Sequence, residues 1–470
     1  MDGLECSEIS KNDLERTLRI DSEFYQKENL NVEKLLHKTE YFPLTKFTSV
    51  SDGNHMAISD RFITDGIPYY RGQDVKSFFI EDSQPICIDE ESFGSSYMMR
   101  SHLQKGDVLL SIVGTIGKLS LVNSNRKATC SCKLAILRPQ KGVSGEVIAT
   151  FLTSKYGQNQ IKKYTRGAVQ MGLILEDMDQ LLVPNFSNEF ITKITELFTD
   201  MNQAKTNSIL VYDEANRLLL DRLSIETQFE DNGIISTSKL LSDSFKVSGR
   251  LDAEYYNPKY DNLFDALSKH KTMPLSGKQG VVSIKKSIEP GSDSYQEEGV
   301  PFIRVSDVDK CEISPPSIML SKDIVPNIEE LYPKKDTILL SKDGSVGIAY
   351  KLERDIEAVT SGALLHLTVK DSNMVLPDYL TLVLNSPIVQ LQAERDCNGA
   401  VIQHWKPSDI EKVLIPILDM PIQQEIASKV QESFRLREES KHLLALAVQT
   451  VEMAIETNEE EALLWLGIQK

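Results

Sequence analysis

Two kinds of apolar spacing divide this chain, and each occurs twice. Between residues 43 and 139, and again between 274 and about 370, short β-branched runs alternate with clusters of Gly, Asp, Asn and Ser, the pattern of strands joined by turns. The strongest strand patterns are 108–113 and 337–341. Each is followed by a Gly-x-x-Gly, Gly114 to Gly117 and Gly344 to Gly347, whose φ freedom permits a tight turn into a further strand at 118–122 or 348–352. Residues 128–137 read as one more apolar strand, which would place Cys130 and Cys132 on one face. At 146–164 and 377–395 the period becomes helical: Ile148, Phe151, Leu152 and Ile161 are matched by Leu380, Val383, Leu384 and Leu391. One amphipathic helix is expected in each stretch.

Each half then closes on a long helical pattern. Phe190, Ile194, Leu197, Met201, Ala204, Ser208, Val211, Ala215 and Leu218 alternate spacings of four and three, the seam of a coiled coil. Ile422, Ile426, Val430 and Phe434 open the second helix and Leu444, Val448, Val451 and Ile455 close it, with a polar middle. Two such helices in one chain are expected to pack together. Pro184 and Pro416 stop the preceding strand and set each helix start.

The duplication is visible in the residues themselves. Ser111, Gly114 and Gly117 recur 230 positions later as Ser341, Gly344 and Gly347. Arg19-Ile-Asp-Ser-Glu-Phe-Tyr25 returns as Arg250-Leu-Asp-Ala-Glu-Tyr-Tyr256, each block leading into a short helix marked by Leu30, Leu35 and Leu36 or Leu263 and Leu267. Gly66-Ile-Pro-Tyr-Tyr-Arg71 returns as Gly299-Val-Pro-Phe-Ile-Arg304, and Gly167-Ala-Val169 as Gly399-Ala-Val401. A period this long is a duplicated domain rather than a solenoid unit. The expected architecture is α+β: two tandem α/β domains, 1–186 and 233–418, each followed by a long helix, 187–232 and 419–470, the last ending in an acidic tail. The two helices are expected to pack together as a coiled coil.

Composition narrows the function. The 470 residues, 41% hydrophobic, suffice for real cores, and no apolar run of about eighteen residues or basic-then-apolar start is present, so a cytoplasmic protein with no membrane partner is expected. Six scattered cysteines without histidines at ligand spacing predict neither a disulfide framework nor a metal site. The net charge of −17 opposes nucleic-acid binding unless the carboxylates, Glu456, Glu459, Glu460 and Glu461 among them, lie away from a basic cleft.

No motif supports catalysis in this chain. Gly114-Thr-Ile-Gly-Lys118 has two residues between its glycines where a P-loop needs four, and Leu119 intervenes before Ser120. Asn257-Pro-Lys-Tyr260 lacks the second proline of the loop that grips a flipped adenine, and no Gly-rich cofactor loop precedes it, so a helix-starting turn is expected.

Candidate DNA contacts are Arg71 and Arg304, each three residues before an aspartate. Both a local ion pair and a bidentate contact to phosphate or guanine remain open for them. Further candidates are Lys118 and Lys342 beside the Gly-x-x-Gly turns, the cluster Lys162, Lys163 and Arg166, and Gln170, Gln403, His404, Trp405 and Lys406 after the Gly-Ala-Val turns.

Taken in order, Arg250-Leu-Asp-Ala-Glu-Tyr-Tyr, Gly-Asp-Val-Leu-Leu-Ser-x-x-Gly-Thr-Ile-Gly at 106–117, Gly-Ala-Val-x-Gln at 399–403, and Ile415-Pro416 followed by Pro421-x-x-Gln424-x-Ile426 resemble the specificity subunit of Type I restriction-modification systems. The resemblance covers nearly the whole chain. It departs at Asn185-Phe-Ser-Asn-Glu189, where the expected proline and glutamine are missing, and in its acidity. It implies two target-recognition domains reading a split, asymmetric DNA sequence, with long antiparallel helices holding them apart and docking partners. It also implies no catalysis and no cofactor in this chain. S-adenosylmethionine, ATP and Mg would be bound by the adenine-methylating modification subunits, two of them, and the motor nuclease restriction subunits. Physics is compatible: unlike repeats can bind unlike half-sites, and a helix over 190–223 spans roughly 50 Å, more than a DNA turn of about 34 Å. A protein-binding scaffold of the same ancestry with little DNA affinity is the alternative.

Overall fold

The computed structural model describes residues 5–17, 19–82, 84–167, 171–225, 238–242, 244–397 and 403–469. The chain folds as two compact units, Met1–Gln203 with Glu439–Lys470, and Ala204–Glu438. Each unit therefore takes part of both long helices.

The first unit contains a four-stranded antiparallel sheet ordered Thr48–Asp52, Leu134–Pro139, Val108–Ser111, Leu119–Leu121. A second sheet runs Phe62–Ile63, Ile86–Ile88, Ile67–Tyr70, Thr129–Cys130, its last pairing parallel. The second unit repeats both topologies: Val282–Lys286, Leu364–Val369, Ile338–Ser341, Ala349–Lys351, and Tyr295–Gln296, Met319–Leu320, Val300–Ile303, Val359–Thr360. In each unit a short ribbon ends at the proline before a long helix. Tyr41–Pro43 pairs with Leu182–Pro184, and Thr272–Pro274 with Leu414–Pro416.

The expected short helices form at Lys27–Leu36 and Pro258–Ser268. Asn257 caps the latter through Lys259 N, with Pro258 in its first turn, so this motif starts a helix.

Three expectations need correction. The run 128–137 is not one strand: Thr129–Cys130 joins one sheet and, after a turn, Leu134–Pro139 joins the other. Cys130 is fully buried, which pushes its thiol pKa up, whereas Cys132 within that turn is only partly covered. The segments 146–164 and 377–395 are each two helices, Gly145–Thr153 with Lys155–Tyr164, and Pro377–Asn385 with Pro387–Asp396. Buried serines break them. Ser154 Oγ donates to Phe151 O at 2.6 Å and accepts from Gly157 N, while Ser386 Oγ donates to Val383 O at 2.7 Å ahead of Pro387. A serine that satisfies the end of one helix can cap the next, and apolar periodicity does not register the break.

The long helices are Asn188–Arg222 and Met420–Glu456. In the first unit, Phe190, Ile194, Leu197 and Met201 share a core with Leu443, Ala447, Val451 and Ile455, and Ser440 Oγ donates to Met201 O. In the second unit, Tyr212, Ala215 and Leu219 share a core with Ile426, Val430 and Phe434, Ser433 Oγ donates to Ser208 O at 2.7 Å, and Lys429 pairs with Glu214. Partner numbers fall as the first helix rises, so the pair is antiparallel within each unit.

The third correction concerns the seam. Beyond Ser208 the buried positions are Tyr212, Ala215, Leu219, Leu220 and Leu223, with Val211 and Leu218 half-covered. An α-helix drifts against a strict heptad, so the seam passes from Val211 to Tyr212 and from Leu218 to Leu219 while Ala215 keeps its expected place. The acidic C-terminal stretch is itself a helix, Glu459–Gln469, with Ala462 and Leu466 in the first unit's core. Its Glu459 accepts from Ser187 N at 3.0 Å, and Glu456 pairs with Lys155. Among the described residues no helix is long and apolar enough to cross a membrane.

Candidate nucleic-acid interface

In both units the same backbone device presents an arginine. The strand Ile67–Tyr70 ends at Arg71, whose backbone N–H donates to Asp74 Oδ2 at 2.7 Å while Nε lies 3.4 Å from the same oxygen. Val300–Ile303 ends at Arg304, with its N–H 2.8 Å from Asp307 Oδ2 and Nε at 3.7 Å. The aspartate thus shapes the turn, and each guanidinium stays about one-third exposed. Local pairing and an outward-facing fork coexist, since one carboxylate oxygen occupies only part of a five-donor group.

In the first unit the Gly-x-x-Gly turn stands beside Arg71. All four glycines have left-handed φ, between 74° and 86°. In the first unit Thr115 Oγ1 donates to Gly72 O at 3.2 Å and contacts Ser111 Oγ at 3.0 Å, clamping the turn to the Arg71 loop. In the second, Ser341 Oγ donates to Ser345 O at 2.5 Å. From behind, Gln158 Nε2 donates to Gly117 O at 3.0 Å, and Gln390 Nε2 to Gly347 O at 2.8 Å. These glutamines support the turns and were missed in the sequence, although their spacing of 232 matches that of Gly167 and Gly399.

A groove of about 750 Å³ opens between the Arg71 and Gly114 loops. Its polar lining includes Arg71, Gln73, His55, Thr115 and Lys133, over a floor with Phe62, Tyr69 and Ile58. His55 Nε2 is 2.5 Å from Asp52, which also pairs with Arg100. His55 and Lys133 escaped the sequence reading because the repeat does not keep them. The bridges Asn54 to Ser131 and Ile288 to Ser361 align His55 with Glu289, and Lys133 with Ala363. Lys118 is exposed just past the turn.

The second unit gathers a different set. Lys342 pairs with Asp343, and Asp343 with His404 Nδ1 at 2.8 Å. Gly344 N donates to Gln403 O and Trp405 N to Lys342 O, so 403–405 docks along the turn. Burial works against the charged form of Asp343, yet Lys342 and His404 hold its carboxyl below the usual range. Lys406 is exposed beyond them.

Two candidates are corrected by burial. Trp405 is 1% exposed in the second unit's core, where a stacking role on DNA is sterically closed to it. Lys163 is 7% exposed, pairs with Glu33 at 2.8 Å and lies over the Phe24 ring at 4.4 Å, which makes it an internal cation. Its neighbour Lys162 is exposed. Arg166 is bound by Asp177 at 2.6 Å, and its backbone pairs with Gly172, which also bridges Val113 of the groove. Gln170 and residues 399–401 lie outside the described residues. Among the described residues no cluster of His, Cys, Asp and Glu could hold a metal ion.

Residues 279–444 match the family model described as the Type I restriction modification DNA specificity domain. A curated relative, the Type I restriction enzyme EcoBI specificity subunit of Escherichia coli, is 22% identical over 148 residues, 31% of this chain and 31% of that protein. Thus the match spans under a third of the relative's length. Among solved structures, the Type I restriction-modification S subunit from M. genitalium is 12% identical, with 89% of this chain and 95% of that one covered at a TM-score of 0.38. The HsdS subunit from Thermoanaerobacter tengcongensis is 16% identical, with 90% and 96% covered at a TM-score of 0.28. The matched segment of the specificity domain contains Arg304, Lys342, Gln403, His404, Trp405 and Lys406.

Proposed function

We propose that this chain is the sequence-reading subunit of a Type I restriction-modification assembly, and that its two units read the unlike parts of a bipartite, asymmetric DNA target. The observation that carries this reading is one backbone frame holding different polar groups. Arg71 and Arg304 are equivalent, while His55 and Lys133 stand where the other unit has Glu289 and Ala363. An arginine fork suits the acceptor edge of guanine or a phosphate, and the changed neighbours give each unit its own preference.

The chain has no catalytic step in this reading. Adenine methylation with S-adenosylmethionine belongs to two modification subunits, and ATP- and Mg-dependent translocation and cleavage to restriction subunits. With an overall charge of −17, the reader relies on partner lysines and arginines for much of its phosphate contact. The test is co-expression with the modification subunit encoded beside it, followed by sequencing of methylated host DNA. Methyladenine in one split, asymmetric sequence is the expected result. Complexes that form stably but never bind or methylate DNA sequence-specifically would favour a protein-binding scaffold instead.

A further inference from the structure

Arg19-Ile20-Asp21 in one unit and Arg250-Leu251-Asp252 in the other are built alike down to single atoms. Arg19 forks onto Asp21, with Nη2 2.6 Å from Oδ2, and Arg250 onto Asp252, with Nε 2.8 Å from Oδ1. Each guanidinium sits 4.7 Å from the centre of an aromatic ring, Phe24 or Tyr255. Tyr25 Oη donates to Arg19 O at 3.1 Å, and Tyr256 Oη to Arg250 O at 2.9 Å. The residue held at the centre of each device packs on almost nothing: Ile20 is 91% exposed and Leu251 77%.

A lone exposed aliphatic residue is ordinary. Two at the same register, each on a fork that fixes its backbone, are a repeated feature with no role in either core. We propose that Ile20 and Leu251 are equivalent anchor side chains for two copies of one partner subunit, each entering an apolar socket on its copy. This inference rests on the function proposed above, under which that partner is the modification subunit.

Three observations select this occupant. The side chains that flank the reading arginines differ between the units, His55 and Lys133 against Glu289 and Ala363, whereas this device is kept contact for contact, as is expected where it meets the same thing at both units. Unlike half-sites are not the same, but two copies of one subunit are. Each Arg–Asp pair is internally neutralised and leaves no net cation for phosphate, so the tripeptide offers DNA only a methyl-bearing side chain. Finally, a backbone already fixed by a fork and a tyrosine hydrogen bond has little freedom left to lose on docking, which suits an anchor in a protein interface.

The experiment uses the full chain with the modification subunit encoded beside it, and native mass spectrometry to count copies bound. The wild-type chain binds two copies. Ile20→Asp and Leu251→Asp each bind one, with the second site weakened about tenfold or more, the scale of an interface anchor. The double variant binds none at the same concentration. Ile20→Leu and Leu251→Ile keep two copies and show that shape and polarity, not folding, decide. A double variant that still holds two copies with wild-type affinity overturns the inference. So does one that keeps its copies but loses DNA affinity, because the side chains would then face DNA. If the wild-type chain binds no modification subunit at all, the partner reading itself falls and the inference with it.

Discussion

The two units use one frame and fill it with different chemistry, most clearly in their paired sheets. Ile338 pairs with Lys351 where Val108 pairs with Leu121, and Leu339 faces His366 where Leu109 faces Ile136. Lys351 is 3% exposed and bound to Asp378 at 3.1 Å and Glu353 at 2.9 Å. Burial opposes its charge, yet the two carboxylates hold its ammonium pKa above the usual range. His366 is buried against Thr360 Oγ1 at 2.7 Å, and burial, with Lys285 nearby, pushes its pKa down to about 4. Backbone pairing therefore tolerates exchange between apolar and ionisable residues when the tertiary surroundings supply partners. The same tolerance lets the turns diverge without loss of the frame.

The sharpest break in the equivalence should come from Trp405, which occupies the place of Leu173; both backbones donate to the strand-end carbonyl, of Lys342 and Ile112 respectively. Trp405→Ala is expected to cost about 3–5 kcal/mol, and Leu173→Ala about 2–5 kcal/mol, because both leave cavities in closed cores. Denaturant unfolding measures both. A loss of DNA affinity without a loss of stability in Trp405→Ala would restore it to the reading surface.

Lys351→Leu installs the first unit's residue and strands Asp378, whose remaining partner is Gln431. A loss of about 3 kcal/mol is expected at neutral pH, since removing one member of a buried pair leaves the other charge uncompensated. Thermal melts at neutral pH would show a wild-type midpoint if the pair contributed nothing.

For His366 the folded pKa lies below the unfolded value near 6.5, so the unfolded chain takes up the proton first on acidification. The second unit's stability should be level above that pH and fall from about 6.5 towards 4, by up to about 3 kcal/mol from this group. His366→Ile should flatten that slope, whatever constant cost the lost Thr360 contact adds. Unfolding free energies measured across pH 4 to 8 settle it, and an unchanged slope in the variant would exclude His366 as its source.

Smaller still, Arg71→Ala and Arg304→Ala should each lower discrimination at one half-site by about 1–3 kcal/mol and leave the other intact. Binding titrations against DNAs altered in one half-site at a time separate the two. Equal losses at both half-sites would assign these arginines to structure rather than reading. Lys118→Ala should weaken all sequences alike and reduce the salt slope by about one.

Much of the architecture was determined by local pattern. Period-two runs with Gly-x-x-Gly turns, the prolines before each helix and the apolar seams are repeated signals over many residues, and chance does not reproduce them twice in order. That the long helices pack together followed from two such seams in one chain, whereas their antiparallel sense was implied only by the family resemblance. Breaks were harder to see: Ser154 and Ser386 interrupt helices through hydrogen bonds to their own turns, and the seam slips from Val211 to Tyr212 because packing follows the true helical period.

The candidate interface was only partly legible, for a related reason. Arg71 and Arg304 announce themselves by recurring, and their outward groups survive in the structure. Trp405 and Lys163 looked equally available as letters, but an indole or an ammonium is assigned to core or surface by what folds against it, and those neighbours are distant in sequence. His55 and Lys133 carried no signal, because residues that differ between repeats leave no pattern. Residue order determined a duplicated frame with two arginine turns. Which side chains face the groove, and which charges are already paired inside, was decided only when the sheets and helices closed.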